Sequence, residues 1–169
     1  RLVGKLNDYD KDVLNSKSYT NPEIEHPPLK LSPWQSTGPL PTTGYIAGHN
    51  AVFPPEKMHG SKRSPSATWR ARPEFVDGTS HLISESNSVF FFHRTITAKT
   101  ATPTVLSFGA DDTVKAWLDG ELIAERIIAA AVNPDQALAH LTLSKGENQL
   151  LVKIVNGPGI GGFYFKVKQ

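Results

Sequence analysis

The sequence predicts an all-β, antiparallel β-sandwich with a short N-terminal helix and a long Pro/Gly-rich irregular segment. Three observations predict it: short alternating or β-branched runs in the second half, turn dipeptides between them, and prolines crowding the first half. A period of two sends alternate side chains to opposite faces, so one face can be buried while the other meets solvent or covering chain.

Residues 1–18 set Leu2, Leu6, Tyr9 and Val13 at helical spacing with charges between them, which predicts the helix. Asp8, Asp10 and Asp12 alternate there as in a calcium loop. Val13 stands where an EF-hand turn needs Gly and no closing Glu follows, so a solvated helix face is the reading. Residues 20–73 carry the pairs Pro27-Pro28 and Pro54-Pro55, and proline, lacking an amide donor and fixing φ, excludes long helices and central strands. The same segment holds Trp34, Tyr45, Phe53 and Trp69, too many aromatics for an unfolded linker. It is expected to wrap in an ordered way against the sandwich. The division is residues 1–28 as helix and linker and residues 29–169 as the β-sandwich binding domain.

Residues 88–97, SVFFFHRTIT, read as a strand covered on both faces. The next strand runs through Val105 and Ser107 and ends at Gly109. Val114, Ala116 and Leu118 then alternate with Lys115 and Trp117, which turns Trp117 away from the core. Asp119-Gly120 supplies a two-residue hairpin turn into residues 121–124. Residues 127–136 admit a helical turn from their Ala-rich part or a loop at Asn133-Pro134-Asp135. Ala139, Leu141 and Leu143 share one face of a further strand, and a turn at 145–148 leads into strand 149–155. A Gly-Pro loop at 156–162 opens the last strand, with Phe163, Phe165 and Val167 inward.

A chain of 169 residues is expected to form a single domain. A domain of this size buries roughly 70% of the surface of its unfolded chain, and so needs no disulfide. The absence of Cys excludes a thiol nucleophile, a zinc ribbon and a c-type haem attachment, so no haem is expected in this domain. Eighteen basic and 16 acidic side chains give a net charge of +2, no field for nucleic acid. The longest apolar run, residues 127–132, is far shorter than the roughly 18 residues of a membrane span. The chain begins at Arg1 and reads as a piece of something longer, so the lack of a visible signal peptide decides nothing.

Six scattered His residues lack the i, i+4 pairing of a zinc hydrolase, and no GxSxG or phosphate-cradling loop is present. Glu74 with Asp77, or Glu121 with Glu125, are pairs any chain with 16 acids offers, and no enzyme is expected. Lys62, Arg63, Arg70 and Arg72 form a basic patch around Trp69, a combination nucleic acid could use, the more ordinary reading being a solvated loop or a surface meeting an anionic glycan.

The stretches GADDTVKAWLDGELI, LSKGENQLLVKIVN and GIGGFYF resemble the galactose-binding-like jelly-roll domains of bacterial glycan-degrading proteins. The likeness is greatest to a carbohydrate-binding-module-like domain of large exported planctomycete multi-domain proteins, often with cytochrome c. It runs over about residues 31–165, through segments 34–40, 69–78 and 111–120. The DDTVKAWLDG core also resembles protective-antigen-type lectin domains, in which two consecutive Asp residues chelate a calcium ion that holds sugar hydroxyls. That resemblance puts Asp111 and Asp112 in this role, with Thr113 departing from the usual Gly.

The residues themselves leave two readings of the Asp pair: the carboxylates accept loop amides and fix the turn, or they hold calcium with Asn156 adding oxygen. Trp34, Trp69, Trp117 and Tyr45 are candidate sugar platforms, since the C–H faces of a pyranose pack on aromatic rings, core packing being the alternative for each. Trp34 and Trp69, in Pro-rich chain, are expected to be exposed. Arg70 and His93 complete the candidate ligand set. The function expected is non-catalytic binding of polysaccharide or oligosaccharide, within a secreted or periplasmic multi-domain protein. The partners expected are the glycan and neighbouring domains, with no nucleic acid and no membrane span, the isolated domain being a monomer. The alternative is a structural interaction module that orients its neighbours and binds nothing small.

Overall fold

The computed structural model describes residues 27–57 and 68–168. The expected helix at 1–18, with Asp8, Asp10 and Asp12, lies outside these residues, as do His59, Lys62 and Arg63. The elements are β1 (Lys30–Leu31), β2 (Gln35–Pro41), α1 (Tyr45–Asn50), a 3-10 helix (Pro54–Lys57), β3 (Arg70–Ala71), β4 (His81–Ile83) and β5 (Ser88–Ala98). They continue with β6 (Thr102–Asp111), β7 (Thr113–Leu118), β8 (Glu121–Ile127), β9 (Ala137–Leu143), β10 (Gly146–Asn156) and β11 (Gly161–Lys168). One antiparallel sheet runs β3-β2-β5-β10-β7-β8, with β1 also on β5, and the other runs β4-β11-β6-β9. The expected β-sandwich is the architecture found.

β5 and β10 pair along their whole length, from Gly146 opposite Ala98 to Asn156 opposite Ser88. Both are buried on two sides, as the unbroken apolar run of β5 requires. Their inner faces give Phe90, Phe92, Ile96, Leu150, Val152 and Ile154 to the core between the sheets. Their outer faces give Val89, Phe91, Leu151 and Val155 to a second, smaller cluster under the wrapping chain. Phe163, Phe165 and Val167 point inward from β11, and Ala139 and Leu143 from β9, as their alternation predicts. Asp119 and Gly120, at φ 50° and 89°, form the expected two-residue hairpin turn.

One open reading is settled and two expectations are corrected. Of the two readings left open for residues 127–136 the loop is the one found, its helical-turn alternative falling away: the Gln136 side chain bonds Ala110, Ala131 and Asn133 and shapes it. The Pro-rich segment does supply a seven-residue strand, β2, directly beside β5. Its prolines are tolerated because the register shifts between Thr37 and Leu40, and because β3 covers only Gln35 and Ser36 on the other side. Trp34 is not exposed: it is 2% accessible, and its ring meets Phe92, Phe163 and Phe165 edge-on at 6.3, 5.4 and 5.1 Å. Burial of the indole is possible because its N–H donates to Asp77 at 3.1 Å. Arg94 lies 4.5 Å above the same ring, donates twice to Asp77 at 2.6 and 2.7 Å, and donates to the Ser32 carbonyl.

Trp34→Ala is expected to lower unfolding free energy by roughly 3–5 kcal/mol in a urea titration, and Trp117→Ala, half-buried on the outer face, by well under half as much. Equal losses would mean that Trp34 is not the core residue it is taken to be.

Candidate functional site

At one end of the sandwich the chain changes sheets in a single residue. β6 ends at Asp111 in one sheet, β7 begins at Thr113 in the other, and Asp112 makes the corner. The Asp111–Asp112 peptide bond is cis. The connection from β10 to β11 also changes sheets and lies alongside, with Gly162 opposite Asp111. Two sheet-to-sheet corners thus bring Asp111, Asp112 and Asn156 together.

Their donors and acceptors are tightly assigned. The Asp112 amide donates to the Val155 carbonyl at 2.9 Å, and the Asp112 carbonyl accepts from the amides of Ile128 and Ala129 at 2.8 and 3.0 Å. Carboxylate Oδ2 of Asp112 accepts from the Gly157 amide at 2.7 Å. Asn156 is 1% exposed and its Nδ2 donates to the carbonyls of Glu85 and Gly159 at 2.9 and 3.0 Å, which leaves Oδ1 as the group's remaining acceptor. A Cβ on Gly161 would lie 2.5 Å from the Asp111 carbonyl oxygen and 2.6 Å from Asn156 Oδ1. A Cβ on Gly157 would lie 2.8 Å from Asp112 Oδ2 and 3.0 Å from Tyr45 Cδ1. Only glycine fits where oxygens crowd this closely, and Tyr45 at the start of α1 closes one side.

Burial, and next the neighbouring Asp112 charge, push the Asp111 carboxyl above its ordinary value of 3.8. Two carboxylates and one amide oxygen make a hard-oxygen set, which fits a divalent cation such as Ca²⁺. Among the described residues no group of three or more His, Cys, Asp and Glu converges, so the third donor here is an amide. Sequence reasoning took only Asn156 from the 156–162 loop and missed Gly157 and Gly161. Their signal was there: Asn156-Gly157 followed by Gly161-Gly162.

The remaining candidates lie elsewhere. Register aligns Gln35, His93, Leu151 and Trp117 in one row across β2, β5, β10 and β7 on the outer face. Trp69 meets the His93 ring at 5.8 Å, and Trp69 and Trp117 are half-buried against the outer apolar cluster. His93 is 3% exposed, so it supports this row from below and offers no surface contact. Arg70 is exposed on the short β3. The predicted residues therefore split into an end site, an outer-face row and, for Trp34, the core.

The chain matches no protein-family profile and no curated protein. Among solved structures it is similar to the PA14 domain of the MpAFP antifreeze protein, at 13% identity and TM-score 0.48 over 85% of this chain and 86% of that one. It is similar to a PA14 sugar-binding domain from an RTX adhesin, at 17% identity and TM-score 0.39 over 50% of this chain and 48% of that one. A third likeness is to a β-glucosidase from Kluyveromyces marxianus in complex with glucose, at 18% identity and TM-score 0.42 over 80% of this chain. The match spans about half of the adhesin domain and 15% of the glucosidase. Likenesses this distant assign neither family nor function.

The raised Asp111 value has a definite sign. A carboxyl whose folded value is above its unfolded one contributes stability at low pH that is lost as pH rises through the folded value. In chelator, Asp111→Asn is therefore expected to melt higher than the parent at neutral pH, the difference shrinking toward about pH 4. A difference that does not change with pH in thermal scans would contradict the crowding of these carboxylates.

Proposed function

We propose that this domain is a non-catalytic carbohydrate-binding module, with Asp111, Asp112 and Asn156 holding a calcium ion at the end site. The observation that carries the reading is the oxygen set of Asp111, Asp112 and Asn156, in which Asp112 and Asn156 are fixed by main-chain hydrogen bonds and Asp111, through burial and then its neighbour's charge, resists ionising. Calcium takes six to eight oxygens, so when bound it would accept ligand hydroxyls beyond those the three side chains supply. Asp112 and Asn156 are held in place before any ligand arrives, which lowers the ordering cost of binding. Tyr45, half-buried against Gly157, offers an apolar wall for the C–H face of a sugar ring. Trp69 and Trp117 supply a second, flatter contact area.

Three of the four carboxylates in the candidate acidic pairs are already committed. Asp77 serves Arg94 and Trp34, Glu125 serves Lys115 and His49, and Glu74 serves Arg72. This supports binding without turnover. Single-site affinity should fall roughly between micromolar and millimolar, because hydroxyl contacts replace water contacts. Within a secreted or periplasmic multi-domain protein, such a module would raise the effective concentration of its neighbouring domains near polysaccharide.

Calcium is expected to raise the melting temperature, EDTA to reverse the rise, and Asp112→Asn, which keeps the acceptor for Gly157, to abolish it. Retention on a panel of immobilised neutral polysaccharides should follow the same calcium dependence. A melt indifferent to calcium and EDTA, with no retention on any of the panel, would end this reading.

A further inference from the structure

Most buried or half-buried cations of the described chain have an acidic partner: Arg72 with Glu74, Arg94 with Asp77, Lys115 with Glu125, Lys153 with Glu56. Arg70 has none. It stands at a cavity of about 280 Å³ whose lining, among the described residues, contains no acid: Thr37, Pro39, Pro54, Pro55 and Thr68 are among its walls. Other cavities differ in this respect, since the one at Arg126 also contains Glu125 and Asp135, and the one at His140 contains Asp119 and Glu121. The Arg70 cavity opens beyond the end of β3: β3 pairs only Gln35 and Ser36, so from Thr37 onward the outer edge of β2 has no strand partner among the described residues. Its position is distinct from the end site, and none of its lining residues belongs to the Asp111, Asp112 and Asn156 group.

We infer that this cavity is a second saccharide subsite, and that it takes an acidic sugar residue, a hexuronate, with its carboxylate on Arg70. Three features of the cavity match three of the ligand. The guanidinium is a planar fork that pairs a carboxylate through two parallel hydrogen bonds. The Thr37 and Thr68 hydroxyls and the open β2 edge are partners for ring hydroxyls. The Pro39, Pro54 and Pro55 rings give an aliphatic wall for the C–H face of a pyranose. The volume of about 280 Å³ lies just below the roughly 300–1,000 Å³ of ligand pockets, suited to one ring of a chain. That the occupant is a sugar acid rests on the saccharide-binding reading, but the subsite does not depend on calcium or the end site.

The test is calorimetric titration of the domain, in EDTA to silence the end site, with trigalacturonate, its neutral galactose counterpart and inorganic phosphate. The acidic trimer is expected to bind, the neutral trimer and phosphate at least about tenfold more weakly, with affinity falling as salt rises. Arg70→Gln should lower affinity for the acidic trimer about tenfold or more, Arg70→Lys should recover only part of it, and Asp112→Asn should change nothing. No binding of the acidic trimer in EDTA overturns the inference, as does full affinity in Arg70→Gln. Loss in Asp112→Asn in place of Arg70→Gln assigns the acid to the end site, and equal binding of phosphate reduces the cavity to a general anion site; either outcome also overturns it. Calcium-dependent retention of neutral glycans is read separately, so either proposal can fail while the other stands.

Discussion

The structure turns on an ammonium group with no exposed surface. Lys153, in the middle of β10, points to the outer face of the larger sheet and is 0% accessible. Removing an ammonium from water costs several kcal/mol unless its three donors are satisfied. Here they meet the carbonyls of Ala51 and His49 at 2.6 and 3.3 Å and Glu56 Oε1 at 2.7 Å, between the rings of Phe53 and Phe91. Burial still pushes its pKa below the usual lysine value, with the Glu56 charge opposing. All three hydrogen-bond partners belong to the wrapping chain, so that chain cannot lift away without stranding a buried charge. Lys153 thereby fixes α1, and α1 fixes Tyr45 against the end site. The packing leaves no slack: a Cβ on Gly48 would lie 2.6 Å from Val155, the residue before Asn156.

A second cation does the corresponding task on the inner face. Arg94, on the neighbouring strand β5, collects Asp77, Ser32 and the Trp34 ring, all from chain with little regular structure. The Gly78 amide extends the attachment to the Phe165 carbonyl of the opposite sheet. Pro-rich segments cannot be held by long ladders, because proline lacks the donor. This one is held instead by charge-assisted bonds from two buried side chains, each stronger than an ordinary amide bond and each directed to a single place. Order in residues 27–57 and 68–83 is thus imposed from the central strands outward.

That mechanism explains what the sequence could and could not reveal. Alternation and the Asp119-Gly120 turn are local, so strands β5 to β11 and the outward turn of Trp117 could be read directly. Trp34 could not, since its burial depends on Asp77, 43 positions away, and nothing near Trp34 announces that partner. The strand β2 was hidden for a similar reason: its prolines argue against a ladder, and it takes the register shift and the shortness of β3 together to make them harmless. Asp111 and Asp112 are conspicuous as a pair. Their meeting with Gly157, 45 positions on, follows from two corners lying side by side, a property of topology and not of spacing.

The geometry also bears on the kind of molecule such a domain would bind. Asn156 of the end site and Leu151 of the outer-face row stand on the same strand, β10, five residues apart. At a strand rise of about 3.4 Å per residue the separation is about 17 Å, beyond the reach of a single sugar ring. The Arg70 cavity lies at yet another place, on the far edge of the same sheet. Shallow contact areas set this far apart on a rigid sheet would each bind a monosaccharide weakly. A polymer that touched two of them would make its second contact intramolecularly, at an effective concentration in the millimolar range for a short span. On the proposed reading, then, selectivity for long glycans over short ones comes from the spacing of the sheet, not from the depth of any one pocket.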